Sequence, residues 1–147
     1  MNDTAMTAKA FLESMESQQK RVQMMHEEYQ RIRHSLDISG INYETTGAVA
    51  SSRKTDAMSE MIAEMIDFEA EMKQEECRLG IMRLRVVSAI GKLSNEKERD
   101  ILCRWYLLHE REQEICDSGY SRTSMYRHLN AGLKHLEILG QIGTNWD

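Results

Sequence analysis

The stretch Glu112-Gln-Glu-Ile-Cys-Asp-Ser-Gly-Tyr-Ser-Arg-Thr-Ser-Met-Tyr-Arg-His-Leu129 predicts a short helix, a three-residue turn and a second helix. Gly119 lies where the first helix must end, because glycine tolerates the left-handed conformation found just past a helix end. Ser121 can cap the second helix by accepting a backbone N–H. The second helix carries an apolar face at helical spacing: Met125, Leu129, Leu133 and Leu136. This is the helix-turn-helix pattern, and we interpret it as a DNA-binding element.

Composition favours an all-α chain. The 147 residues include no proline, and good helix formers such as Leu, Met, Glu and Lys are plentiful. No apolar stretch approaches the roughly 20 residues that cross a bilayer, and the first residues lack the features of a signal peptide. Three widely spaced cysteines fit neither a disulfide framework nor a zinc site. We therefore expect a cytoplasmic protein with no membrane partner, whose cysteines are reduced core thiols.

Charge is distributed unevenly along the chain. The net charge is −5, but residues 118–136 contain no acidic residue. The same segment holds five basic or titratable side chains: Arg122, Arg127, His128, Lys134 and His135. A basic segment on an acidic protein is suited to docking on phosphate through one surface.

The first two thirds of the chain carry two apolar seams. Eight of nine positions at a 3,4 spacing from 8 to 36 are apolar or aromatic, and Gln18 is the exception. Nine of ten positions from 61 to 93 are apolar, and Glu75 is the exception. Such seams predict a coiled-coil-like antiparallel hairpin within one chain, and the alternative is that the seams pair between chains. The predicted pairs are Ile32 with Met61, Tyr29 with Met65, Met25 with Phe68, Val22 with Met72, Gln18 with Glu75, Met15 with Leu79 and Phe11 with Met82.

The predicted organisation has three parts. Residues 1–93 form the hairpin and oligomerisation region, with a Ser-, Thr- and Gly-containing loop at 37–55. Residues 94–139 form the helix-turn-helix module, and 140–147 form a flexible tail. Asn95 or Ser94 can cap the first helix of the module, and Glu98 completes a near capping box. That helix is expected to support the motif through Ile101, Leu102, Trp105, Tyr106 and Leu108.

Eight residues are candidates for DNA contact: Ser121, Arg122, Thr123, Ser124, Tyr126, Arg127, His128 and Lys134. Thr123 and Arg127 lie four residues apart in the first turns of the second helix, opposite its apolar face. The first turns enter the major groove in this motif, so these two residues are expected to read bases. Arg122, Ser124 and Lys134 are expected to contact phosphate.

The segment from Leu93 through Arg99, Ile101 and Leu102 to Gly119-Tyr-Ser and Tyr126-Arg resembles region 4 of sigma-70-type factors. From about Arg31 onward the chain is also similar to small phage and prophage proteins of the RinA/ArpU late-regulator type. Ser124-Met-Tyr-Arg-His is locally similar to a serine-recombinase recognition helix, without the catalytic domain. The resemblance implies a phage-type transcription regulator in a bacterial host, with RNA polymerase as a further partner.

The residues leave other functions open. A small terminase-like DNA-packaging subunit also combines a helix-turn-helix with a helical oligomerisation region, and a helical adaptor would use the motif to bind protein alone. We expect at least a dimer, because specific binding usually combines two half-sites. No nucleophile–base pair, phosphate loop or carboxylate cluster stands out, so we predict no enzyme, no catalytic residue, no cofactor and no metal ligand.

Overall fold

A computed structural model describes the backbone of residues 7–45 and 52–139, and the side chains of residues 7–37 and 56–138. Every regular element in these ranges is helical, which confirms the all-α class. The elements are α1 (Ala8–Thr45), α2 (Ser52–Gly91), α3 (Glu96–Leu102), a π-helical turn (Cys103–Leu107), α4 (Glu112–Asp117) and α5 (Arg122–Leu139). No helix among the described residues is long and apolar enough to cross a membrane.

The prediction of a loop over residues 37–55 is wrong at both boundaries. Helix α1 continues to Thr45, and α2 begins at Ser52, before the predicted caps at Thr55 and Asp56. Glycine costs an α-helix about 1 kcal/mol and serine or threonine less, and this segment lacks the proline that would break a helix. Residues 46–51 of the predicted loop and the predicted tail at 140–147 lie outside the described residues.

The chain divides into two compact units. One unit is Gln18–Leu79, and the other combines Met1–Ser17 with Gly80–Asp147. The second unit is therefore larger than the predicted module at 94–139, because the first turns of α1 and the last turns of α2 belong to it.

In the unit Gln18–Leu79, α1 and α2 pack through the middle of the predicted seams, whereas Met61, predicted to pair with Ile32, is 44% exposed. Met25, Tyr29 and Met72 form a buried cluster, with Met65 and Phe68 packed against it. The rings of Tyr29 and Phe68 stack with centroids 6.4 Å apart. Residue 18 of α1 contacts residue 75 of α2, and residue 29 of α1 contacts residue 68 of α2. The residue numbers of the contacts therefore rise along α1 while they fall along α2.

The predicted pairing of Gln18 with Glu75 is confirmed. Gln18 is buried, and its Nε2 donates to the Glu75 backbone oxygen at 3.1 Å and to its Oε2 at 3.3 Å. Arg21 Nε lies 3.2 Å from Glu75 Oε1. The polar exceptions of the two seams therefore satisfy each other in one layer, as buried polar groups must.

In the other unit, both long helices contribute to the core around α3, α4 and α5. Its fully buried side chains include Leu12, Met15, Val86, Ile90, Ile101, Leu102, Ile115, Met125 and Leu136. Near the start of α1, the Ala8 backbone N–H donates to the Glu137 carboxylate of α5. A carboxylate at a helix N-terminus is favourable because it meets the positive end of the helix dipole.

The π-helical turn changes which residues support the core. Leu108 N donates to Cys103 O at 2.9 Å, five residues back rather than four, and His109 then turns the chain with a φ of 55°. The wider turn shifts the inward face, so Leu107 is buried and Leu108 is 64% exposed. The predicted core role of Leu108 is therefore wrong, while Ile101, Leu102 and Tyr106 are buried as expected.

Candidate nucleic-acid interface

The turn between α4 and α5 has the predicted geometry. Ser118 Oγ donates to Ile115 O at 2.7 Å, and Gly119 follows with a φ of 128°, which favours glycine. Ser124 N then donates to Ser121 Oγ at 3.1 Å, so Ser121 caps α5 as predicted. The exit from α4 and the entry to α5 are both fixed by local hydrogen bonds.

The inner face of α5 packs closely on α3. Met125, Leu129 and Leu136 are buried, but Leu133, predicted for this face, is only half-buried. Gly132 occupies the inward position instead. A β-carbon there would lie 2.8 Å from Leu102 Cδ1, so glycine permits the close approach of the two helices.

The outer face of α5 is a polar stripe of exposed residues, Thr123, Arg127, Asn130 and Lys134, at spacings of four, three and four. At 100° per residue these positions lie on one line, opposite the buried face. Within residues 7–37 and 56–138, the Arg127 guanidinium makes no ion pair. Asn130 was missed by the sequence analysis, although its spacing from Arg127 and Lys134 could have indicated it.

Two further candidate residues contact Glu112 of α4. Arg122 Nε lies 2.8 Å from Glu112 Oε1, and the Arg122 side chain is 77% exposed. The pKa of the Tyr126 hydroxyl is raised, first by burial and then by a hydrogen bond to Glu112. The Tyr126 ring also meets Trp105 edge to face, with centroids 6.1 Å apart. Arg122 and Tyr126 are therefore already engaged within the protein.

The other candidates differ in exposure. Ser124 and His128 are half-buried, and the His128 ring packs edge to face on Tyr120 at 6.2 Å. His135, which the basic segment includes, places its Nδ1 2.6 Å from Oε1 of the buried Glu98. Glu98 therefore bonds to α5 instead of completing the expected capping box, while Asn95 Oδ1 accepts from Lys97 N and Glu98 N as a cap should.

Arg104 fixes the turn before α5, and the sequence analysis missed it. Its Nε donates to Glu110 Oε1 at 2.9 Å, and its Nη1 donates to Ser118 Oγ at 2.7 Å. The hydrogen bond to Glu110 raises the pKa of Arg104 further. Tyr120 OH donates to Asp100 Oδ2 at 3.0 Å, and that oxygen lies 3.7 Å from Arg104 Nη1. The sequence signal that could have indicated Arg104 is its position as the one charged residue in the π-helical turn Cys103–Leu107.

The cysteines only partly fit the expected core thiols. Cys103 and Cys116 are half-buried, but Cys77 is exposed. Burial raises the pKa of the Cys103 thiol. Among the described residues, no group of three or more His, Cys, Asp or Glu side chains could hold a metal ion.

The chain matches no protein-family profile, no curated protein sequence and no solved structure. The inference of function therefore rests on the residues and their geometry.

Proposed function

We propose that the chain is a sequence-specific double-stranded DNA-binding regulator of phage type, in which α4 and α5 act as a helix-turn-helix. The observation that carries the proposal is the outer stripe of α5. Thr123, Arg127, Asn130 and Lys134 are exposed on a helix whose opposite face is buried, and no acidic residue interrupts residues 118–136. Arginine and asparagine side chains can each bind a base edge through two hydrogen bonds.

The N-terminus of α5 supports the same proposal. Ser121 caps the helix, and residues 121–124 are exposed or half-buried. The first backbone N–H groups of a helix and its dipole attract phosphate. Docking there would bring Thr123 and Arg127 to the major groove, as in other proteins with this motif.

We further propose that α1 and α2 form an antiparallel hairpin used for self-association. The stacked and hydrogen-bonded pairs within Gln18–Leu79 support the antiparallel direction. Large apolar side chains of α2 are exposed in the single chain, including Ile81, Leu84 and Val87. Burying such side chains in a second subunit would be favourable. A dimer would present two copies of α5 to two half-sites.

The proposal is tested by selecting bound sequences from fragments of the source genome, followed by affinity measurements on the selected site. Arg127→Ala is expected to cost about 1–3 kcal/mol at that site and to relax base choice there. Lys134→Ala should weaken all sequences alike and reduce the salt slope by about one. Lys73→Ala, which removes the same charge from an exposed position on α2, is the control.

The outcomes separate the alternatives. If Arg127→Ala keeps the wild-type ratio of selected to random DNA, its role in base reading is excluded. A protein that shows no salt-dependent DNA affinity would instead be an adaptor. A mass in solution of many subunits, measured by light scattering, would favour the ring-forming packaging subunit, and the mass of a dimer would favour the regulator. Binding of RNA polymerase would then be tested next.

A further inference from the structure

Glu112 is the acidic residue that reaches into the candidate interface. It is the first residue of α4, where a negative charge is favoured by the helix dipole. Its Oε1 lies 2.8 Å from Arg122 Nε, although the two are not aligned as a hydrogen bond and this buried oxygen has no other partner in the described structure. The same carboxylate contacts the Tyr126 hydroxyl. One acid thus engages two of the eight candidate DNA-contacting residues.

The contact between Glu112 and Arg122 is weak enough to exchange. The Arg122 side chain is 77% exposed and that of Glu112 is 36% exposed. An ion pair with an exposed arginine contributes little to stability, and this one also lacks the alignment of a hydrogen bond. A DNA phosphate could therefore replace Glu112 as the partner of Arg122, but the carboxylate competes for the guanidinium and repels the phosphate. Arg122 can therefore bind a DNA phosphate only after it has separated from Glu112.

We infer that Glu112 sets the overall DNA affinity of the interface, because by holding Arg122 it withholds one phosphate contact from DNA of every sequence. The inference rests on the proposed DNA-binding function. Phosphate contacts favour all sequences equally, whereas base contacts favour the selected site. Withholding one phosphate contact therefore lowers affinity for random and selected DNA alike, and the base contacts of the outer stripe are left intact.

The test compares Glu112→Gln, which keeps the side-chain shape, with Asp117→Asn. Asp117 is exposed at the other end of α4 and bonds to Gln113, so its substitution removes one charge without touching Arg122. Affinities for the selected duplex and a random duplex of equal length are measured between 50 and 200 mM salt. Circular dichroism checks that each variant keeps its helix content.

We expect Glu112→Gln to steepen the salt slope by about 0.9, which corresponds to one additional phosphate contact. Across this salt range such a contact adds about a threefold loss of affinity. Binding to random and selected DNA should tighten alike, by about threefold more at the low-salt end than at the high-salt end, and the ratio of selected to random binding should stay the same. Asp117→Asn should leave the slope unchanged. In an Arg122→Gln background, Glu112→Gln should leave the salt slope unchanged, because the phosphate contact that it would release is absent.

Two results would overturn the inference while leaving the proposed function intact. If Glu112→Gln weakened the selected site and left random DNA unchanged, Glu112 would instead position Arg122 for base recognition. An equal gain in the Arg122→Gln background would show a general charge effect. A wild-type protein without salt-dependent DNA binding would refute the proposed function and this inference together.

Discussion

The close approach of α5 to α3 predicts opposite effects for two glycine-to-alanine substitutions. Alanine favours a helix interior over glycine by about 1 kcal/mol. In Gly80→Ala this gain should appear in full, because the new β-carbon meets nothing within 4 Å. Gly80→Ala should therefore raise the free energy of unfolding by about 1 kcal/mol.

Gly132→Ala should instead lower the free energy of unfolding. Its β-carbon would lie 2.8 Å from Leu102 Cδ1, 3.2 Å from Leu102 Cγ and 3.4 Å from Glu98 Cβ. Leu102 is fully buried, so its side chain cannot turn away into solvent. Overpacking of this kind costs about 1–3 kcal/mol. After subtraction of the helix gain, the net destabilisation should be about 0–2 kcal/mol.

The measurement is urea unfolding followed by circular dichroism at 25 °C. Since Gly80 and Gly132 lie in the same compact unit, the difference between the two variants reports the packing cost alone, about 1–3 kcal/mol. If both variants were stabilised equally, α5 would not approach α3 this closely. The assignment of an inner face to α5, and of the opposite stripe to DNA, would then lose its structural basis.

Two further predictions concern the turn before α4. Arg104→Gln should lower the free energy of unfolding by about 1–3 kcal/mol in the same urea assay, because it removes the charged partner of Glu110 and the donor to Ser118. An unchanged midpoint would contradict this role. Burial first, and then nearby glutamates, raise the pKa of Tyr106 from 10.0 to about 12. Between pH 10.0 and about pH 12 the Tyr106 hydroxyl keeps its proton in the folded state and loses it in the unfolded state. Stability should therefore fall more steeply with pH in the wild type than in Tyr106→Phe, by up to about 1.4 kcal/mol per pH unit, and equal slopes in the two proteins would show that Tyr106 is accessible.

The seams show what periodicity can predict. In α1, the predicted positions 8, 11, 15, 18, 22, 25 and 29 are buried, whereas positions 32 and 36 are half-buried. The pairing of Gln18 with Glu75 followed from two polar exceptions at matching positions, since each needs a partner. Periodicity succeeds here because each turn of a long helix must place an apolar side chain on the same buried face.

The π-helical turn shows where periodicity fails. Five residues, Cys103–Leu107, are too few to reveal a change of period, and the single extra residue exchanges Leu107 for Leu108. The contacts of Arg104 with Glu110 and Ser118 depend on that turn, so they could not be placed from spacing alone. Gly132 was missed for a related reason, because a hydrophobic pattern does not distinguish a close helix approach from a gap in the apolar face.

The geometry of α5 also explains why its stripe should divide between bases and phosphate. Thr123 and Lys134 are eleven residues apart, or roughly 17 Å along the helix axis. The major groove is only about 12 Å wide and 8.5 Å deep. A helix that enters the groove by its N-terminal turns can therefore bring Thr123 and Arg127 to base edges while Lys134 remains at the level of the backbone. The different effects expected of Arg127→Ala and Lys134→Ala thus follow from position along the same exposed face, and equal effects on specificity would mean that α5 lies along the groove instead.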